Sequence, residues 1–112
     1  MEVRAIAKDT RVAPRKVRLI IDLVRGKKVD EASDILRFAS SPTAKIVAKV
    51  IKSAAANAEK TFQLPSSDLK IVRIFADGAQ TMKRYRARSR GRPSPILKRS
   101  SHITVIVAEQ ER

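Results

Sequence analysis

Residues 70–76 read KIVRIFA, and a second run of the same character, HITVIVA, stands at 102–108. Each alternates and is rich in β-branched residues, the pattern of a strand with one buried face. Pairing them antiparallel with Val72 opposite Val107, Ile74 opposite Val105 and Ala76 opposite Ile103 puts all six apolar residues on one face, as strand parity requires. The midpoint of that hairpin falls between Ser89 and Arg90, beside the turn-forming Gly91 and Pro93. From Asp77 to the midpoint is about 12 residues, an arm on the order of 40 Å if extended. A core of this chain length has a radius of only about 13–14 Å. The arm, spanning about 77–102, is therefore expected to project from the body.

The projecting part is strongly basic. KRYRARSRGRP, residues 83–93, sets Arg84, Arg86, Arg88, Arg90 and Arg92 at alternate positions, and no Asp or Glu lies between Asp77 and Glu109. Like charges at this density repel unless a partner neutralises them. Lys83, the five arginines, Lys98 and Arg99 together suit phosphate, because the guanidinium fork donates paired hydrogen bonds and its plane stacks on bases. Tyr85 offers one aromatic face for a base. A second basic cluster, Arg4, Lys8, Arg11, Arg15, Lys16 and Arg18, crowds the first strand and the start of the first helix. Arg25, Lys27 and Lys28 follow that helix, where cations also complement its dipole without any ligand.

Upstream, residues 2–8 alternate as a short strand with Val3, Ala5 and Ala7 on one face. Pro14 opens a first helix with Val17, Ile20, Ile21 and Val24 as its stripe, and Gly26 stops it. A second helix is expected to begin at an Asp30 N-cap, with Ala32, Ile35, Leu36 and Ala39 inward. Ser41 and Pro42 start a third, from about 42 to 62, with Val47, Val50, Ile51, Ala54 and Ala58 buried. The small residues of SAAANAE permit close packing against a neighbour.

The chain has 112 residues and a formal net charge of +14, from 25 Lys and Arg against 11 Asp and Glu. That length suits one domain, 1–112, with a modest aliphatic core. Cysteine is absent, which excludes disulfides and thiol nucleophiles. There is no signal-like start and no apolar run of the roughly 20 residues that span a bilayer. A soluble cytoplasmic protein with a polyanionic partner is expected. The one histidine, His102, reads as a structural hydrogen-bonding group; no phosphate loop, metal motif or catalytic pair accompanies it. No enzyme activity, metal or cofactor is therefore expected. Between RNA and a DNA-binding architectural role for the ribbon, the residues alone leave the choice open.

Four stretches taken together carry a resemblance: KVRLIIDLVRGKKVDEASDIL (16–36), KSAAANAE (52–59), MKRYRARSRGR (82–92) and KRSSHITVIV (98–107). In this order and spacing the chain resembles the bacterial ribosomal large-subunit protein twenty-two family over nearly its whole length. The resemblance implies an α+β fold: three helices packed on a small three-stranded antiparallel sheet, with a long projecting β-hairpin. It implies a monomeric structural constituent of the large ribosomal subunit that binds large-subunit ribosomal RNA beside neighbouring ribosomal proteins. The hairpin would help shape the nascent-peptide exit tunnel. Residue by residue, Met82, Lys83 and Arg84 match the tunnel-side segment, and Arg88, Gly91 and Arg92 match the tip and lining. Lys98, Arg99, Ser101 and His102 match the returning strand. Basic clusters and resemblance taken together give the expected RNA-binding set Arg11, Arg15, Lys16, Arg18, Arg25, Lys27, Lys28, Lys83, Arg84, Arg86, Arg88, Arg90, Arg92, Lys98 and Arg99, with His102 joining it by the resemblance alone. The chain departs from the family at Ala87, where proline is frequent, and at Pro93 and Pro95.

Overall fold

A computed structural model describes residues 2–79, 82–87 and 93–109. The order is β1 (Glu2–Thr10), α1 (Pro14–Val24), α2 (Val29–Phe38), α3 (Pro42–Phe62), a 3-10 turn (Ser66–Asp68), β2 (Leu69–Gly78), β3 (Met82–Ala87), β4 (Pro93–Lys98) and β5 (Ser101–Glu109). β1, β5 and β2 form a three-stranded antiparallel sheet in that order, and β3 and β4 form a separate antiparallel pair. This is the expected α+β architecture, three helices on a three-stranded sheet. Its longest dimension is 65 Å against 26 and 17 Å across, and its radius of gyration is 17.0 Å. A compact chain of this length would have a radius of gyration of about 13 Å.

The core is aliphatic. Val3 and Ala5 of β1, Leu69, Ile71, Ile74 and Ala76 of β2, and Ile103, Val105 and Val107 of β5 present one buried sheet face. Val17, Ile21 and Val24 of α1, and Val47, Val50, Ile51, Ala54 and Ala58 of α3, are buried with them. α3 lies against β1, β5, α1 and α2, so the longest helix is the central one. Its alanines allow that close approach. The Ser41 side chain accepts a hydrogen bond from the Thr43 N–H at 3.2 Å, the expected cap before Pro42. Gly26 stands at φ +78°, the left-handed stop expected after α1.

Two expectations are corrected. α2 begins at Val29, with Lys28 as its N-cap and no side-chain cap bond. Val29 is buried, and the Lys28 carbonyl accepts the first helical bond from Ala32 at 2.9 Å. Packing of Val29 moves the N-cap two residues earlier, from Asp30 to Lys28, and Asp30 and Glu31 become first-turn acids that favour the helix dipole.

The second correction concerns KIVRIFA. Ile74 pairs with Val105 and Ala76 with Ile103, as parity demanded, but Val107 pairs with Ile71 and not with Val72. A β-bulge between Ile71 and Arg73 inserts Val72 as an extra residue, 44% exposed. Leu69 and Ile71 have one parity and Ile74 and Ala76 the other, so a regular strand would bury one pair and expose the other. The bulge turns all four inward.

Candidate nucleic-acid interface

The edge of β2 farther from β5 is held by α1 and the loop behind it. Arg18 donates from its guanidinium to the Ala76 carbonyl at 3.0 Å, and Arg25 donates to the Ile74 carbonyl at 3.4 Å. Arg25 also pairs with Asp22 at 3.1 Å. The Ile71 N–H donates to the Lys27 carbonyl at 3.0 Å, and Lys28 bridges Lys70. Main-chain groups that an edge strand would leave open are thereby satisfied.

These bonds set the first helix beside the root of the β3–β4 arm. At the root the Ala79 N–H donates to the Ser100 carbonyl at 2.9 Å. The fully buried Ser101 hydroxyl donates to the Val12 carbonyl, tying the start of β5 to the segment before α1. A cleft opens between these parts, walled by Ala13, Pro14, Gly78, Ala79 and Ser100 and carrying Arg15, Arg18 and Arg99. Among the described residues no carboxylate lines it. Arg15 and Arg99 are exposed, and Arg18 is held by one bond, leaving further guanidinium donors for a ligand. Three cations around small-residue walls can take a phosphate oxygen cluster at short range.

The sequence placed Arg15 and Arg18 in one basic cluster and Arg99 in another; the fold joins them. Arg11 and Lys16 are exposed near the same end of α1. Arg25, Lys27 and Lys28 stand at the opposite end of that helix, about 16 Å away along its axis. His102 is half-buried on β5 and pairs across the sheet with Asp77. Lys83, Arg84 and Arg86 lie on β3 opposite Leu97, Ile96 and Ser94, and Met82 lies opposite Lys98. Arg88, Arg90, Gly91, Arg92 and the expected turn at Ser89–Arg90 lie outside the described residues. Pro93 and Pro95 are in β4 opposite Ala87 and Tyr85. Lacking N–H donors, they must occupy positions that do not donate across the ribbon, and they leave its outer edge without donors there.

Some cations escaped the sequence reading. Lys45, Lys49 and Lys52 of α3 line a groove with Val29, Asp30 and Ser33 of α2. Their i, i+4, i+7 spacing on the polar side of α3 was the available signal. Among the described residues there is no cluster of three or more metal-ligating side chains, and no helix is long and apolar enough to cross a membrane.

Residues 5–108 match the family described as Ribosomal protein L22p/L17e. The chain is 66% identical over 109 residues to the large ribosomal subunit protein uL22 of Dehalococcoides mccartyi, covering 97% of this chain and all of the relative. It is 50% identical over 108 residues to the protein of the same name from Pediococcus pentosaceus, covering 96% of this chain and 92% of the relative.

Proposed function

Given that this chain belongs to the Ribosomal protein L22p/L17e family, we propose that it serves in the cytoplasmic ribosome by binding large-subunit ribosomal RNA and lining the exit tunnel with its arm. It is a structural constituent of the large subunit and not an enzyme. The observation that carries the RNA-binding reading is the convergence of Arg15, Arg18 and Arg99 in a cleft at the root of the basic arm that no carboxylate lines among the described residues.

The mechanism follows from charge and shape. The cleft fixes one phosphate where the arm leaves the body, and the arm's cations from Lys83 to Arg99 neutralise RNA strands on either side of it. RNA strands that would repel one another can then pack along the ribbon. A two-stranded ribbon with few large apolar residues is marginal alone, so RNA contacts stabilise it in place. Met82, Lys83, Arg84, Arg88, Gly91 and Arg92 are the residues assigned to the tunnel wall, beside the passing nascent peptide. Neighbouring ribosomal proteins complete its surroundings, and the whole chain acts as one rRNA-binding domain.

Competition decides between this reading and an architectural DNA protein. At fixed salt, a large-subunit rRNA transcript is expected to displace a labelled RNA probe at lower concentration than duplex DNA of equal nucleotide count. Equal or better displacement by the duplex would sink the RNA reading. For the tunnel, subunits carrying a cysteine at position 84 are expected to cross-link to a stalled nascent chain; a failure there, with normal assembly, removes the lumen assignment.

A further inference from the structure

The helices cover one face of the sheet; the other carries its own chemistry. Two adjacent rows cross it by register. One is Arg4–Ile106–Arg73 and the next is Ile6–Thr104–Phe75. Arg4 and Arg73 are exposed, Ile6 is 43% exposed and Phe75 39% exposed. The bulge at Val72 is what places Arg73 and Phe75 here, because it shifts their parity away from the core. We propose that this open face binds an unpaired nucleotide of ribosomal RNA, its base stacked on Phe75 and its flanking phosphates held by Arg4 and Arg73. The proposal rests on the rRNA-binding reading above and adds a contact surface separate from the cleft and the arm.

Charge selects the occupant. Ile106 separates the two arginines across the sheet, so neither has a carboxylate opposite it in its row. Asp22 pairs with Arg25 on α1, away from both. Other charged groups on this face are Glu2 and Lys70 beyond the arginine row, and exposed Lys8 of β1 with Asp77 beside half-buried His102 beyond the phenylalanine row. A row of two arginines flanking an apolar centre, next to a row with one exposed aromatic ring, matches a nucleotide's own division into phosphate and base. Aromatic rings on sheet faces recognise single-stranded bases in this way. The backbones of Arg4 and Arg73 stand about 9.6 Å apart, two strand spacings, so the side chains can reach phosphates on both sides of one base.

The test uses the full chain and a ten-nucleotide oligoadenylate at low salt, read by the ring proton resonances of Phe38, Phe62 and Phe75. The Phe75 ring is expected to move upfield on saturation, with Phe38 and Phe62 unmoved. Phe75→Leu is expected to weaken binding about fivefold or more, with Phe75→Trp restoring it. Arg4→Gln with Arg73→Gln is expected to lower the slope of log affinity against log salt by about 1.4. RNA bound with the Phe75 ring unmoved, or with equal affinity in Phe75→Leu, overturns the proposal and leaves the rRNA-binding reading standing. A ring that responds only to a neighbouring ribosomal protein also overturns it. Absence of any RNA binding by the unmodified chain defeats both.

Discussion

Arg18 on α1 donates to the Ala76 carbonyl at the edge of β2, across 3.0 Å and 58 positions of sequence. One side chain of the candidate interface is thus also a strut between helix and sheet. Arg15, one turn earlier, has no such bond among the described residues. Arg18→Gln is therefore expected to lower stability in urea by about 1 kcal/mol, and Arg15→Gln to leave it within about 0.5 kcal/mol. Both are expected to weaken RNA binding. Equal stabilities of the two variants would show that the Arg18 bond is not maintained in solution.

The bulge makes a sharp contrast between adjacent residues. Ile71 is fully buried opposite Val107, whereas Val72 is the extra residue and largely outside the core. Ile71→Ala is expected to cost about 2–5 kcal/mol, the range for a buried large-to-small change. Val72→Ala is expected to cost less than about 0.5 kcal/mol. Denaturant midpoints decide it, and the reverse order would restore the unbulged register.

That contrast also marks what could be read in the sequence. The three helices, their Pro14 and Ser41–Pro42 starts, and the pairing of KIVRIFA with HITVIVA follow from local pattern. Burial bears them out at Val17, Ile21, Val47, Ile51, Val105 and Val107. Parity alone could not place Val72, because a bulge is a local break in the rule that defines parity. The clue was that Leu69 and Ile71 disagree in phase with Ile74 and Ala76. Asp30 reads as a cap because cap preference is local, whereas the burial of Val29 that sets the helix start is tertiary. The cleft was half legible. Charge density marked Arg15, Arg18 and Arg99 separately, but only the chain path through the root brings position 99 to position 15.

Helix ends give opposite predictions at two left-handed positions. Gln63 caps α3 at φ 56°, with its N–H bonded to the Ala58 and Glu59 carbonyls. A side chain there is strained, and Gln63→Gly is expected to stabilise by about 0.5–1 kcal/mol. Gly26 already has the residue its φ favours, and an added Cβ would meet nothing within 4 Å. Gly26→Ala is therefore expected to destabilise by about 1 kcal/mol through backbone strain alone. Thermal unfolding of both variants checks the signs, and a stabilising Gly26→Ala would refute the left-handed assignment.

Arg15 and Arg99 reach the cleft from different elements, α1 and the connection between β4 and β5. If they hold the same RNA phosphate, their losses are coupled. Arg15→Gln and Arg99→Gln are each expected to weaken RNA binding severalfold. The double variant should fall short of the product of the two effects, as for residues sharing one partner. The salt slope separates the cases further, since it counts phosphates and not arginines. One shared phosphate lowers it by about 0.7–0.9 in the double variant, and two independent phosphates by about twice that. Affinities measured by filter binding across a salt series give both quantities. Additive losses with the larger slope change would place the two arginines on separate phosphates and dissolve the cleft as a unit.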